Sequence, residues 1–275
     1  MSDLTSDQQQ DFLHTAIRAA KAAAHIHQSG VGQNLNIATK SNETDLVTRI
    51  DKESEARIRE LLLTAYPEHV VLGEEEGQGG TEQDAQVPYR WIVDPLDGTL
   101  NYAHGFPFYC VSIGLEVHGR LEVGVVLDSV RNELFTAVRG GGALLNGAPI
   151  AVTQETELRR SMLATGFAYD PESATDNVAV MGRMLGRCRT VRRPGAAALD
   201  LAYVACGRID GFWELKLNAW DVAAGVLLVS EAGGRVTGGN GEPYNVHEKV
   251  LVSSNGTIHE SLLAALELPA ALLQK

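Results

Sequence analysis

Acidic side chains stand at the ends of apolar runs at three places in the chain. Glu74 follows residues 70–72, Asp94 follows residues 91–93, and Asp221 begins an apolar helical pattern. Carboxylates are the groups that both acid–base catalysis and hard metal ions use. Taken singly, each cluster is an ordinary feature: a solvated loop, a turn or a helix cap. Their conjunction favours a chemical site.

The cluster around Asp94 is the most informative of the three. We expect a strand to present Asp94, Pro95 to force a turn, and Asp97 to return a second carboxylate to the same side. Two such carboxylates without a basic neighbour raise each other's pKa, and a divalent cation removes that cost. Oxygen-only ligands select hard ions, above all Mg²⁺. Gly98 and Thr99 would present backbone N–H groups to an anion, so the pattern predicts metal-assisted phosphate chemistry.

The first part of the chain, about residues 1–150, predicts a helix pair followed by an antiparallel sheet. A capping box is expected at Ser6 before the first helix, and residues 48–66 carry a second helical stripe. Hairpin turns are expected at residues 118–119 and 146–147. Short β-rich runs lie at residues 70–72, 90–93, 109–117, 121–127 and 133–138.

The second part, about residues 151–275, changes to an alternation of strands and helices. No internal repeat or linker separates independent domains, so we expect one domain with two subregions and layered α and β elements. Residues 77–86 are expected to form a mobile surface loop. The expected strands are 161–165, 209–213 and 249–253, and the expected helices are 177–186, 195–206 and 220–231.

The composition narrows the classes of partner. Asp and Glu number 35 against 23 Lys and Arg, which gives a formal net charge of −12. Phosphate backbones and anionic lipids repel such a chain, so we expect no nucleic-acid polymer and no membrane as a partner. The three cysteines form no CxxC pair, which argues against a disulfide framework or a thiolate zinc site. Without a signal or membrane segment, a cytoplasmic location is expected.

Four motifs, in order, resemble those of the inositol monophosphatase family. Residues 91–102 read WIVDPLDGTLNY, and this segment resembles the family's first signature. Residues 220–225 read WDVAAG and resemble the second. Residues 73–75 and 45–51 resemble its two remaining metal-site segments. The resemblance extends over about residues 12–263 and implies the five-layered αβαβα sandwich shared with fructose-1,6-bisphosphatase, and a homodimer.

The resemblance implies two to three Mg²⁺ ions per subunit. Glu74, Asp94 and the main-chain carbonyl of Leu96 match the ligands of one ion. Asp94, Asp97 and Asp221 match the ligands of a second, so Asp94 would bridge the two. A third, weaker ion would lie near Glu74, mostly surrounded by water.

The resemblance also implies that the nucleophile is water. Thr99 together with Glu74 would orient and deprotonate that water, and Asp51 would interact with Thr99. Metal coordination lowers the pKa of water from roughly 15.7 to about 7, and paired ions roughly 3.5–4 Å apart stabilise the entering and leaving oxygens. No G-x-S-x-G segment supports a serine nucleophile instead.

Substrate contacts are implied on the sugar side of the site. Glu214 matches a glutamate that accepts hydrogen bonds from inositol hydroxyls, and Gly195, Ala196 and Ala197 match a loop beside it. The family often has Ser or Thr where this chain has Ala196, which removes one hydroxyl. The full set of implied substrate contacts is Asp97, Gly98, Thr99, Gly195, Ala196, Ala197, Glu214 and Asp221.

These observations predict a Mg²⁺-dependent, lithium-sensitive hydrolase of phosphate monoesters that acts on inositol 1-phosphate or a related phosphorylated polyol or sugar. Fructose-1,6-bisphosphatase, 3′(2′),5′-bisphosphate nucleotidase, histidinol-phosphate phosphatase and broad-specificity sugar phosphatase activities share the metal core and stay open. A catalytically silent regulatory homologue is an alternative from another class, although it would need none of the water-activating residues. A glycosidase using Glu74 and Asp94 would leave Asp221 unused.

Overall fold

The computed structural model describes residues 4–39, 46–78, 88–167 and 171–269. Asp45 and residues 79–86 of the expected surface loop lie outside these ranges. Seven helices lie within them: α1 Ser6–Gly30, α2 Arg49–Ala65, α3 Thr99–Ala103, α4 Pro171–Met184, α5 Ala197–Ala205, α6 Ala219–Glu231 and α7 His259–Leu266.

Fifteen strands lie in the same ranges, and two of them, β1 and β2, form a small sheet of their own. The strands are β1 Ala38–Thr39, β2 Leu46–Val47, β3 Val70–Gly73, β4 Gly77–Gln78, β5 Tyr89–Asp97, β6 Cys110–Val117, β7 Arg120–Asp128, β8 Glu133–Val138, β9 Gly142–Leu145, β10 Ala148–Pro149, β11 Met162–Thr165, β12 Thr190–Arg192, β13 Gly211–Leu215, β14 Arg235–Thr237 and β15 Val250–Ser254.

The first two helices begin at reciprocal capping boxes. Thr5 caps α1: its hydroxyl accepts the N–H of Gln8, and the Gln8 side chain accepts the N–H of Thr5. The expected cap at Ser6 is therefore wrong by one residue, because Ser6 is already the first helical residue. Thr48 caps α2 in the same way, with Asp51 as the reciprocal partner. Such boxes satisfy N–H groups that the helix itself leaves unpaired.

Two larger sheets form the framework of the molecule. The eight-stranded sheet has the order β10-β9-β8-β7-β6-β5-β3-β4, and all its neighbours are antiparallel except β3 and β5. The five-stranded sheet has the order β12-β11-β13-β15-β14, with β11 parallel to both of its neighbours and the remaining pairs antiparallel. The expected hairpin turns are confirmed, since residues 118–119 and 146–147 all have positive φ.

The helices and sheets stack in five layers. Helices α1 and α2 cover one face of the eight-stranded sheet, α5 and α6 fill the space between the two sheets, and α4 and α7 cover the outer face of the five-stranded sheet. Neighbours on β5 point into different cores: Trp91 and Val93 pack with the first pair of helices, whereas Ile92 packs with the second. The expected αβαβα sandwich is thus confirmed.

Sequence patterns missed the shortest and outermost elements. Helix α7, the edge strands β12 and β14, and the four-residue β9 were not expected, because short runs show too little periodicity to be recognised. Helix α4 also begins at Pro171, six residues before the expected start at residue 177. None of the helices in the described ranges combines the length and the apolar character needed to span a bilayer.

Candidate active site

A bulge in β5 brings Asp94 and Asp97 to the same face of the sheet. Asp94 pairs with Ser112 on β6 and Asp97 pairs with Cys110, so three steps on β5 match two on β6. The expected turn at Pro95 is therefore wrong: the strand continues through it. Because the ladder is already interrupted at a bulge, the missing N–H of proline costs no hydrogen bond there. Without the extra residue, the two carboxylates would point to opposite faces.

Local contacts fix both carboxylates. Oδ1 of Asp94 accepts the N–H of Leu96 at 3.0 Å. Oδ2 of Asp97 accepts the N–H of Ala198, in the first turn of α5, at 2.7 Å, and the thiol of Cys110 lies 3.7 Å from the same oxygen. The central helix layer therefore helps to orient a side chain carried by the large sheet. Sequence reasoning gave Ala198 no role, because a backbone N–H leaves no mark in the sequence.

Burial raises the pKa of Asp97 to about 7, and the negative charge of Glu74 adds to that effect. The hydrogen bond from Ala198 acts in the opposite direction without cancelling it. A carboxylate whose charge is disfavoured by burial and by a like charge is stabilised by a cation placed beside it.

Asp51 and Thr99 form a buried contact behind the carboxylates. The Thr99 hydroxyl donates to Oδ1 of Asp51 at 2.7 Å, and its oxygen lies 3.1 Å from the carbonyl oxygen of Leu96. Oδ2 of Asp51 is held by the N–H and the hydroxyl of Thr48, at 2.8 and 2.6 Å. Asp51 is thus both a helix-capping residue and the partner of Thr99.

Gly98 occupies a position that no other residue type fits. Its φ is +95°, in the left-handed region, and it caps the short helix α3. A Cβ at this position would lie 2.9 Å from the carbonyl oxygen of Phe108 and 3.2 Å from the Cβ of Tyr109. Both the dihedral angle and the lack of space therefore require glycine.

Asp221 lies in the first turn of α6, the helix between the two sheets. Oδ2 of Asp221 accepts the N–H of Asn218 at 2.6 Å, which completes a capping box in which Asn218 is the cap. This arrangement holds one oxygen of Asp221 against the helix start. The carboxylate also borders the cavity formed by the end of β5.

All five predicted metal ligands border one cavity of about 60 Å³. Of the three predicted catalytic residues, Glu74 and Thr99 border it as well, and Asp51 lies directly behind Thr99. Leu46 and Leu100 also line the cavity. They were not predicted, because an apolar side chain gives no indication of a chemical site. The cavity is lined by Leu46, Glu74, Asp94, Leu96, Asp97, Gly98, Thr99, Leu100 and Asp221.

The predicted sugar-side residues lie next to this cavity rather than in its lining. Burial, together with the charges of Asp221 and Asp97, raises the pKa of Glu214 to about 8, while Arg193 acts in the opposite direction. Glu214 therefore interacts electrostatically with the acidic cluster. Ala196 and Ala197 are buried at the start of α5.

Two polar residues near the sugar side have no role in the sequence-based interpretation. The amide of Asn101 donates to the carbonyl oxygens of Pro194 and Gly195, at 2.9 and 3.3 Å, and so holds the loop before α5. Asn101 lies within the first signature, so the sequence did mark its segment as part of the site. Asp200 is buried, and its Oδ1 has no hydrogen-bond partner among the described residues.

The donors around the cavity suit a hard divalent cation. The lining carries the carboxylates of Glu74, Asp94, Asp97 and Asp221, and carboxylate oxygens are ligands that Mg²⁺ prefers. Within the described part of the chain, no three His, Cys, Asp or Glu side chains already stand in an arrangement that holds an ion.

An acidic, oxygen-lined cavity at the end of a bulged strand defines a site suited to metal-assisted hydrolysis of phosphate esters. The model of the inositol monophosphatase family matches residues 8–268, so the chain belongs to this family. Its members are phosphatases that generally depend on Mg²⁺.

Individual relatives cover nearly the whole chain. Inositol-1-monophosphatase of Synechocystis is 42% identical over 258 residues, which are 94% of this chain and 89% of the relative. Nus factor SuhB of Escherichia coli is 41% identical over 260 residues, which are 92% of this chain and 94% of the relative. The structure of inositol monophosphatase from Anabaena superposes with a TM-score of 0.85 at 43% identity, and covers 94% of this chain and 97% of that one.

The relatives correct one expectation about partners. We expected no nucleic-acid polymer as a partner because the net charge is −12. That exclusion is wrong: relatives between 41% and 46% identical carry the name Nus factor SuhB. The physical reason is that net charge is a sum over the whole molecule, whereas a partner contacts one local surface.

Proposed function

We propose that the protein is a Mg²⁺-dependent phosphomonoesterase whose substrate is inositol 1-phosphate. The observation that carries the proposal is the convergence of Glu74, Asp94, Asp97 and Asp221 on the cavity that also contains Thr99. Family membership and the relative named inositol-1-monophosphatase support the same activity.

Two groups of ligands would hold the metal. Glu74, Asp94 and the carbonyl of Leu96 would hold one ion, and Asp94, Asp97 and Asp221 would hold another. A third ion near Glu74 would be bound more weakly. Bound Mg²⁺ would supply positive charge for the phosphate and would lower the pKa of a bound water molecule.

The chain's own residues would orient the water and receive its proton. Since Asp51 accepts the hydrogen of the Thr99 hydroxyl, the lone pairs of Thr99 are left to accept a hydrogen bond from that water. Glu74 borders the same cavity and would take the proton. Gly98 lets the backbone approach the phosphate without a side chain in the way.

Selectivity for the polyol would depend on Glu214 and on the loop before α5. The Glu214 carboxyl interacts electrostatically with Asp97 and Asp221, and it would accept hydrogen bonds from substrate hydroxyls. Asn101 would set the position of Gly195 and its neighbours Ala196 and Ala197. Fructose 1,6-bisphosphate, nucleotide bisphosphates and histidinol phosphate are the competing substrates.

A substrate panel tests this proposal. Inositol 1-phosphate, fructose 1,6-bisphosphate, adenosine 3′,5′-bisphosphate and histidinol phosphate would each be assayed with Mg²⁺, with EDTA and with Mg²⁺ plus Li⁺. We expect the highest kcat/KM for inositol 1-phosphate, no turnover in EDTA and inhibition by Li⁺. Turnover that survives EDTA would contradict the metal mechanism. A higher kcat/KM for another member of the panel would identify that compound as the preferred substrate.

A second function is favoured by the names of several relatives. Because they are called Nus factor SuhB, we propose that this chain also has a Nus factor role. The test is complementation of an Escherichia coli strain that lacks its own SuhB, by the wild-type chain and by Asp94→Asn. We expect both to restore growth. Failure of both would contradict the role, and failure of Asp94→Asn alone would show that hydrolysis is required.

A further inference from the structure

Helix α2 carries a buried row of charged side chains at four-residue spacing. Asp51, Glu55 and Arg59 follow one another on the face of the helix that meets the large sheet. Asp51 already has a function in this site, because it holds the Thr99 hydroxyl. Glu55 is fully buried and has none in the family-based interpretation.

The Glu55 carboxylate binds the turn that follows β3. Oε2 accepts the N–H of Glu75 at 2.8 Å, and Oε1 accepts the N–H of Glu76 at 3.1 Å. These two N–H groups belong to the residues immediately after Glu74. A carboxylate that accepts backbone N–H groups forms charge-assisted hydrogen bonds, which are about twice as strong as neutral ones. The turn is therefore tied directly to α2.

Arg59 completes the attachment. Its Nε donates to Oε1 of Glu55 at 2.9 Å, and its Nη1 donates to the carbonyl oxygen of Val71 at 3.1 Å. Val71 lies on β3, three residues before Glu74. The strand before Glu74 and the turn after it are thus both bound to the same pair of side chains.

The position of Gly73 shows independently that the Glu55 carboxyl group packs closely against β3. A Cβ on Gly73 would collide with the Glu55 carboxyl group. Because that carboxyl group is buried and held by several donors, it cannot move aside without losing them. The residue directly before Glu74 is therefore in contact with Glu55 as well.

We propose that Glu55 is a positioning residue for Glu74. It holds the backbone on both sides of Glu74 and so sets where the Glu74 carboxylate stands in the cavity. Helix α2 then aligns both groups that handle the proton of the water: Thr99 through Asp51, and Glu74 through Glu55 one turn later. The inference rests on the proposed function, in which Glu74 binds metal and takes a proton.

A purely structural role for Glu55 predicts a different effect on metal affinity. If Glu55 only neutralises Arg59 inside the protein, its loss lowers stability and leaves the metal affinity of the folded protein unchanged. If it positions Glu74, its loss weakens metal binding in protein that is still folded. Residues that orient a metal ligand typically change affinity by about 10- to 100-fold.

The test compares Glu55→Gln with Glu60→Gln in the full chain. Glu60 lies on the exposed side of α2 and pairs with Arg57, so its variant is a matched control. Mg²⁺ affinity would be measured by titration calorimetry, together with kcat, KM and the unfolding midpoint. For Glu55→Gln we expect about 10- to 100-fold weaker Mg²⁺ binding and a lower kcat at an unchanged KM. Wild-type affinity in folded Glu55→Gln would overturn the proposal.

A second variant covers the case in which Glu55→Gln does not fold. Gly73→Ala pushes against the carboxyl group of Glu55, so it should weaken Mg²⁺ binding in the same direction. Because Gly73→Ala leaves Glu55 in place, it tests the inference without a variant of Glu55. Unchanged Mg²⁺ affinity in folded Gly73→Ala would contradict the inference. If the wild type binds Mg²⁺ but hydrolyses none of the panel, the proposed function fails. The ratio of Mg²⁺ affinities between each variant and the wild type still tests the role of Glu55.

Discussion

The hydroxyl of Thr99 donates a 2.7 Å hydrogen bond to Oδ1 of Asp51, a residue 48 positions earlier in the chain. Asp51 cannot turn away, because Thr48 binds its other oxygen through a backbone N–H and a hydroxyl. A fixed acceptor orients the only proton of the Thr99 hydroxyl. The oxygen of Thr99 therefore faces the acidic cavity as an acceptor.

Removal of the Thr99 hydroxyl should impair catalysis more than it impairs folding. We expect Thr99→Val to lower kcat by about 10²- to 10⁴-fold, the range for a group that takes part in proton transfer. Stability should fall by about 1 kcal/mol, because the buried Asp51 loses its hydrogen bond from Thr99. Thr99→Ser keeps the hydroxyl and is the control. Steady-state kinetics and urea unfolding measure both effects, and a kcat near that of the wild type would refute the role.

Loss of Asp94 should remove both metal and phosphate binding. Since Asp94 is proposed to bridge two ions, Asp94→Asn should lower kcat by more than about 10²-fold, beyond the typical effect of residues that only orient ligands. Because four carboxylates line the cavity, the metal-free protein should also bind inorganic phosphate negligibly. Calorimetry with phosphate, in Mg²⁺ and then in EDTA, checks this. Phosphate binding that persists in EDTA would show that the carboxylates need no cation.

Glu214 should affect the choice of substrate and not the chemical step. Glu214→Gln should raise KM for inositol 1-phosphate by about 10-fold, which corresponds to about 1.4 kcal/mol and lies within the range of one hydrogen bond. The kinetic constants for p-nitrophenyl phosphate, which lacks the polyol, should stay the same. Parallel losses for both substrates would instead place Glu214 in the catalytic machinery.

Substitution of Gly98, where space is lacking, should affect activity differently from substitution of Gly105, where space is open. Gly98→Ala and Gly105→Ala both place a Cβ at positive φ, which costs about 1–2 kcal/mol. Only at Gly98 would the Cβ also meet Phe108 and Tyr109, since no atom lies within 4 Å of a Cβ at Gly105. We expect both variants to lose stability and only Gly98→Ala to lose most of its activity. Assays at matched folded concentration compare the two, and full activity of Gly98→Ala would contradict the steric argument.

Acid should destabilise the protein through its buried histidines. Burial, assisted by Arg235, lowers the pKa of His259 from 6.5 to about 4, and the ring bonds Thr237 and Ser254 at 2.9 Å each. The unfolded chain therefore takes up a proton that the folded chain refuses. The contribution of His259 is complete above pH 6.5 and is lost as pH falls toward 4.

Urea unfolding across this pH window measures the effect. The free energy of unfolding should fall by up to about 1.4 kcal/mol per pH unit for each such histidine. His259→Gln should flatten the slope by about that amount. His27, whose pKa burial also lowers to about 4, should account for part of the slope that remains. Identical slopes for wild type and variant would exclude His259 as a source.

Much of the fold and most of the candidate site follow from local patterns. The strand at residues 133–138 and the turns at 118–119 and 146–147 were predicted correctly, because alternation and turn chemistry are local properties. The bulge around Pro95 was not, because one extra residue in a strand has no signature apart from the partner strand. The role of Ala198 was also invisible, because its contribution is a backbone N–H that any residue except proline could supply.

The sequence alone determined which donors the site contains and which family the chain resembles, because residue type sets oxygen chemistry and short-range spacing sets strands, helices and caps. Only the tertiary structure decided that Asp94 and Asp97 share one face and that Thr99 meets Asp51. It also decided that Glu55 holds the turn bearing Glu74. Strand register and contacts between distant elements depend on how the layers pack, and no local pattern specifies that packing.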